Sequence, residues 1–108
     1  MATSEIKFTV QLDENKLPNR IDWESSEEGE KSECKSIMLA LWDKKESNTL
    51  RIDLWTKDML VDEMKIFFHQ TILSMANTFE RATGETAMAG DMKDFAIHFA
   101  EKMKLQNQ

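Results

Sequence analysis

The sequence predicts an α+β domain, with a small three-stranded antiparallel or mixed sheet packed by three helices in the order ββαβαα. Two observations lead to this fold class. Apolar and polar residues alternate in three short segments (5–12, 20–24 and 49–55), as in half-buried strands. Later in the chain, apolar residues recur every three or four positions, the period of an amphipathic helix. The 108 residues suffice for one modest core, so we expect a single domain over 1–108.

The first two strands are predicted to form an antiparallel hairpin with a long loop. In EIKFTVQL one face carries only apolar side chains: Ile6, Phe8, Val10 and Leu12. The following DENKLPN has turn chemistry and contains the only proline, Pro18. RIDWE then alternates again through Ile21 and Trp23, which indicates the second strand.

An acidic segment follows, with six acids and one lysine between Asp22 and Glu33. Its centre, about residues 24–30, is predicted to be a loop. One interpretation is a solvated loop leading into a helix, whose N-terminus favours negative charge. The alternative is an acidic docking loop for a basic partner.

The next element is predicted to be a helix over about Gly29–Glu46, ended by KKESN. Its apolar stripe at i, i+3, i+4, i+7 and i+8 is Cys34, Ile37, Met38, Leu41 and Trp42. Cys34 is the only cysteine, which excludes an intramolecular disulfide, and we expect a buried core thiol. TLRIDLW is then a third strand, with Leu50, Ile52 and Leu54 facing the core. The expected strand order is 2-1-3.

Two further helices are predicted, from Thr56 as N-cap to about Ala82 with Gly84 as C′ residue, and from Thr86 to Lys104. The tail 105–108 should fray. The longer helix has a broad apolar stripe, expected to face the sheet: Leu60, Val61, Met64, Phe67, Phe68, Ile72, Met75 and Phe79.

A second, narrower apolar seam on this helix consists of Met59, Ile66 and Leu73. Either the last helix packs on this seam, or it is an interface with a subunit or partner. Trp23 and Trp42 are expected in the core. Trp55 either caps the sheet edge or is an exposed contact anchor. The predicted interaction surface is Trp55, Met59, Asp62, Ile66 and Leu73.

The same helix carries a polar stripe: Asp58, Asp62, Lys65 and His69. We interpret it as a solvated face, because Asp62 and His69 are seven residues apart, whereas a metal pair on one helix needs a spacing of three or four. The three glycines form no phosphate-binding motif. We therefore expect no enzyme, cofactor or metal. A small-ligand site using Asp53, Asp62 and His69 is the alternative.

Charge and hydropathy limit the classes of partner and the cellular location that we expect. The net charge of −6, without clustered lysine or arginine, disfavours nucleic acid and anionic membranes. The apolar runs are too short for a transmembrane helix, and MATSEIKFTV does not resemble a signal peptide. These features predict a cytoplasmic protein.

Residues 36–84, containing LRIDLWTKDM and VDEMKIFFHQT, resemble the gliding motility protein GldC family of Bacteroidota. The opening SEIKFTVQLDENKLPNRIDWE and the ending MKDFAIHFAEKMKL resemble the same family. The resemblance implies a small soluble cytoplasmic accessory protein of gliding, linked with the type IX secretion system. It implies no catalytic residue.

Three functions follow from the residues and the resemblance together. The first is a non-enzymatic interaction protein that binds itself or other gliding and secretion proteins. The second is a small acidic secretion-type chaperone, which would hold unfolded clients on a methionine-rich surface. The third is the small-ligand-binding protein described above.

Overall fold

The computed structural model describes residues 2–27 and 29–105. Glu28 of the predicted acidic loop and residues 106–108 of the predicted tail lie outside this range. The described elements are β1 (Ile6–Leu12), β2 (Pro18–Ser25), β3 (Lys31–Cys34), β4 (Ser36–Asp43), β5 (Asn48–Trp55), α1 (Val61–Thr83) and α2 (Thr86–Lys102). They fall into two compact units, Met1–Met59 and Leu60–Gln108. A single domain over 1–108 stays a prediction.

The N-terminal unit begins with the predicted antiparallel hairpin, which is confirmed. Phe8 of β1 pairs with Trp23 of β2, and Ile21 of β2 is fully buried. The loop is held by Asp13, whose Oδ1 accepts the N–H groups of Asn15 and Leu17 at 2.8 and 3.0 Å. This Asx geometry is the turn chemistry that the sequence indicated.

The helix predicted over Gly29–Glu46 is wrong, because this stretch forms β3 and β4. The run IMLALW is apolar at every position, so it fits a strand as well as a helix, and periodicity alone cannot distinguish them. The predicted helix end is a hairpin turn. There Asp43 accepts the N–H groups of Glu46 and Ser47, and Ser47 has a φ of 52°.

The α+β class is confirmed, but the sheet and helix counts are corrected. The described residues contain two sheets, β1-β2-β3 with β2 in the centre and β4-β5, instead of one sheet ordered 2-1-3. They contain two helices instead of three. Each of the three described strand pairs is antiparallel. Antiparallel strands can be joined by short turns, so no helix is needed to connect them.

The C-terminal unit is a helical hairpin. α1 begins later than predicted, with Leu60 as N-cap, and the Leu60 N–H donates to Glu63 Oε1 at 2.9 Å. Thr56 is not the cap, because its N–H donates to the Lys35 carbonyl at 2.8 Å and its hydroxyl donates to Asp58. The helix end at Gly84 is confirmed, with φ of 74°.

α2 is confirmed nearly to its predicted bounds, and it packs against α1. The fully buried apolar residues of this unit are small: Ala76, Ala89 and Ala96. Small side chains let two helices approach closely, but they provide little core volume. Among the described residues, no helix is long and apolar enough to cross a lipid bilayer.

Candidate interaction surfaces

One face of the β4-β5 sheet is aliphatic except at its turn end, where Asp43 pairs with Asn48. Three cross-strand pairs form it: Ile37 with Leu54, Leu39 with Ile52, and Leu41 with Leu50. About half of each of Leu41, Leu50 and Ile52 is exposed to solvent. A two-stranded sheet has marginal stability by itself, so burial of this face would stabilise the hairpin. We call these six side chains the aliphatic face.

The other face of the same sheet carries two exposed tryptophans at opposite ends. Trp42 is 69% exposed and Trp55 is 57% exposed, so the prediction that Trp42 lies in the core is wrong. The error follows from the wrong helix, because alternation along β4 places Trp42 opposite the aliphatic face. Trp55 is exposed, as the contact-anchor alternative requires. Trp23 in β2 is half-buried.

Between the tryptophans, Arg51 and Asp53 form an ion pair with 2.6 Å between Nη2 and Oδ1. The hydrogen bond from the Arg51 guanidinium lowers the pKa of Asp53. Asp53 is therefore a paired carboxylate, which makes it a poor general base.

An open pocket of about 310 Å³ adjoins Trp55. Most of its lining is apolar, and the complete lining is Leu17, Pro18, Asp53, Leu54, Trp55, Thr56, Lys57 and Met59. Both charged residues of the lining are paired, Asp53 with Arg51 and Lys57 with Asp13. We call this feature the Trp55 pocket.

The predicted interaction residues fall in both units. Trp55 and Met59 line the Trp55 pocket. On α1, Asp62 is exposed, Ile66 is half-buried and Leu73 is partly exposed. Their role as a contact surface stays a prediction.

The helical hairpin exposes large apolar side chains, of which Phe68 and Met75 were assigned by the sequence to the broad stripe facing the sheet. Phe68, Met75, Met88 and Phe95 are about half exposed. A groove on this hairpin is lined by Met75, Phe79 and Met92 together with polar α1 residues. We call Phe68, Met75, Phe79, Met88, Met92 and Phe95 the helical apolar face.

The polar stripe of α1 is not uniformly solvated, and the prediction is wrong for His69. His69 is only 6% exposed, and its Nδ1 has no hydrogen-bond partner among the described residues. His69 lies on the same side of α1 as Ala76 and Glu80, and Glu80 binds Lys93 of α2. That side therefore packs against α2. The small side chains of Ala76 and Ala96 were the available sequence signal for this contact, because small residues let two helices approach closely.

The residues of the ligand-site alternative have different environments. Asp53 is paired with Arg51, Asp62 is exposed and His69 is buried. Within residues 2–27 and 29–105, no three metal-type side chains lie close enough together to hold an ion. The Cys34 thiol is half-buried in β3, and burial together with the Asp22 carboxylate raises its pKa, which disfavours the nucleophilic thiolate.

The acidic segment forms the β2-β3 hairpin, and several of its carboxylates are paired. Arg20 binds Asp22 at 2.9 Å and Glu33 at 3.5 Å. Glu24 lies 3.8 Å from Lys7 on the neighbouring strand. Part of the acidic charge is therefore neutralised within the sheet.

A family model described as gliding motility-associated protein GldC-like matches residues 18–105. The chain belongs to the GldC-like family. The matched range contains every described element from β2 to α2. No curated protein and no solved structure matches the chain.

Membership associates this GldC-like protein with gliding motility. The aliphatic face, the helical apolar face and all of the Trp55 pocket except Leu17 lie inside the matched range. The exposed apolar surfaces therefore belong to the part of the chain that defines the family.

Proposed function

We propose that this GldC-like protein is a non-enzymatic accessory protein of gliding motility. It acts in the cytoplasm as an adaptor that binds other proteins of the gliding and type IX secretion machinery. The observation that carries this proposal is the exposed Trp55 beside an open apolar pocket. Tryptophan is enriched among the residues that dominate binding energy at protein interfaces.

The surroundings of Trp55 suit a preformed contact site. Leu54, Pro18 and Met59 provide apolar contact area next to the indole. Asp53 and Lys57 form a charged rim, and each is held in place by its own ion pair. A rigid rim reduces the entropy that ordering side chains costs on binding.

The charge of the chain favours one type of partner. With a net charge of −6, the protein attracts a partner that surrounds its own apolar contact with basic residues. Such attraction increases the association rate and weakens at high salt. We therefore expect binding to a motility or secretion protein to decrease as ionic strength rises.

The test is purification of the tagged protein from a gliding cell after gentle cross-linking. Trp55→Asp is compared with Trp42→Asp, which changes an even more exposed tryptophan at the other end of the same sheet face. We expect a specific gliding or secretion protein to co-purify with wild type and Trp42→Asp, but not with Trp55→Asp. Equal recovery with both variants, or recovery of no such protein, would contradict the adaptor proposal.

A secretion-type chaperone is the second candidate, favoured by the exposed methionines and by the aliphatic face. Met75 and Met88 are both about half exposed. Their flexible side chains can adapt to clients of varied shape. A chaperone should suppress aggregation of an unfolded client at a stoichiometric ratio, and Leu50→Lys on the aliphatic face should weaken that effect. Absence of suppression with several clients would argue against this candidate.

A further inference from the structure

The helical hairpin does not bury its own large apolar residues. Within residues 60–105, its buried apolar side chains are three alanines, whereas most of the helical apolar face remains open to solvent. The Phe95 ring lies on this face, and its two aromatic neighbours are on its own helix, with ring centres 6.4 Å away in Phe99 and 6.0 Å away in His98. Two helices alone rarely enclose a core, but four helices do.

The α1 part of the helical apolar face is also free of charge. With about 100° of rotation per residue, the half of α1 centred on Met64 and Ala82 contains no charged side chain. That half includes Phe68, Met75 and Phe79. A solvated helix face normally carries charged residues, so this distribution indicates a surface that is covered.

We propose that a second copy of the chain covers the helical apolar face, so that two hairpins form a four-helix bundle across a two-fold axis. The face presents roughly 400 Å² of apolar area if a whole large apolar side chain exposes about 180 Å². The adjoining Leu60 and Val61, which are also exposed, extend it to roughly 600 Å². A standard interface of about 800 Å² per partner, nearly two-thirds of it apolar, needs a similar amount.

Charge at the edge of the face favours a copy of the same chain over an unrelated protein. Asp91 lies about one helical turn and Lys102 about two turns from Phe95 along the same outer edge of α2. Both side chains are exposed, and neither forms an ion pair among the described residues. Counted along the helix, Asp91 and Lys102 are equally distant from the midpoint between Ala96 and Ile97. If α2 packs antiparallel on α2 of a second copy about that point, Asp91 of each copy lies beside Lys102 of the other.

This arrangement also places Phe95 close to the two-fold axis. Residues near such an axis meet their own counterparts, so Phe95 would contact Phe95 of the second copy. Aromatic pairs of this kind are favourable in offset or edge-to-face geometry. The proposal concerns residues 60–105 and is independent of the partner site at Trp55.

The first test is the mass of the purified full-length protein, measured by light scattering or sedimentation at micromolar concentration. We expect twice the chain mass of 12.6 kDa. Phe95→Asp should weaken dimerisation by at least about 100-fold and give a helical monomer. Ile97→Asp is the matched control, because Ile97 is 57% exposed and Phe95 53%, but Ile97 lies off the face. A wild-type monomer, or a dimer in both variants, would overturn the proposal.

A second measurement does not depend on the folding of Phe95→Asp. In a Cys34→Ser background, a single cysteine is placed at position 95 or at position 97 and treated with a short bis-maleimide. We expect covalent dimers from position 95 and few from position 97. Equal yields at both positions would exclude the proposed axis.

Charge reversal tests the register of the two α2 helices. Asp91→Lys or Lys102→Asp alone places like charges together at two symmetric positions, and we expect dimerisation to weaken by about fivefold. The double variant restores opposite charges and should recover wild-type affinity. Additive losses in the double variant would contradict antiparallel pairing about this point. Trp55→Asp should remain dimeric, so failure of the adaptor proposal and failure of this one can be distinguished.

Discussion

The carboxylate of Glu80 on α1 and the ammonium group of Lys93 on α2 lie 3.0 Å apart and join the two helices near their turn. Both side chains are about one-third exposed. This pair marks the side of α1 that packs against α2, the same side on which His69 is buried. It also gives the hairpin a measurable interhelical interaction.

Glu80→Gln should lower the free energy of unfolding by about 0.5–1 kcal/mol, because it removes a partly screened ion pair. Urea unfolding followed by circular dichroism measures the change. Glu101→Gln is the matched control on the same hairpin and should have little effect. A double-mutant cycle with Lys93→Met should give a coupling energy of similar size, and zero coupling would show that the pair contributes nothing.

The two helical-hairpin glycines should respond oppositely to alanine. Gly84 has a φ of 74°, so Gly84→Ala should destabilise the protein by about 1–2 kcal/mol through backbone strain alone, since its added methyl group meets no atom within 4 Å. Gly90 lies inside α2 with similar free space, so Gly90→Ala should stabilise by about 0.5–1 kcal/mol. Thermal unfolding of both variants tests the pair, and changes of the same sign would contradict it.

Asp13 should contribute to the acid sensitivity of the N-terminal unit. The hydrogen bond from Lys57, followed by those from the Leu17 and Asn15 N–H groups, lowers the pKa of Asp13. A lowered folded-state pKa gives stability that is present above the unfolded value of about 3.9 and is lost as the pH falls through the folded-state pKa.

Asp13→Asn should therefore have a lower urea midpoint than wild type at pH 7, and the difference should shrink as the pH falls below about 4. Unfolding midpoints measured from pH 7 to pH 2 test this. Glu14→Gln removes the exposed carboxylate of the next residue in the turn and is the control. A difference that does not vary with pH would show that the Asp13 charge is unimportant.

His69→Leu should leave the protein as stable or stabilise it by about 1 kcal/mol at pH 7. A buried nitrogen without a partner costs about 1–3 kcal/mol, and leucine replaces it with an apolar group of similar size. Exposed His98→Leu is the control, with an expected change below about 0.5 kcal/mol. A large loss of stability only in His69→Leu would instead indicate a bound partner at Nδ1, as the small-ligand alternative requires.

The helical half of the fold could be predicted well from the sequence, because the local signals in this region agree with one another. Gly84 and the polar TGET segment separate two long segments with helical periodicity, and α2 differs from its prediction only at the C-terminal end. The β1-β2 hairpin was equally clear from alternation. The start of α1 was missed because Thr56 is held by Lys35, a contact distant in sequence.

The region around β4 could not be predicted because its residues satisfy two periods at once. Ile37, Leu41 and Trp42 lie on one helical stripe, but as a strand they divide between two faces. Only the pairing with β5 decides between these structures, and pairing is a tertiary interaction. The wrong helix then placed Trp42 in the core. Trp55 could be placed correctly at the end of a strand, but its exposure could not.

In each unit, the elements that pair with each other are neighbours in sequence. β1 joins β2, β2 joins β3, β4 joins β5, and α1 joins α2. These contacts close short loops, so little chain entropy is lost before each one forms. We infer that the hairpins within both units form quickly during folding. The exposed apolar surfaces would then be complete early, ready to meet a partner while synthesis of further copies continues.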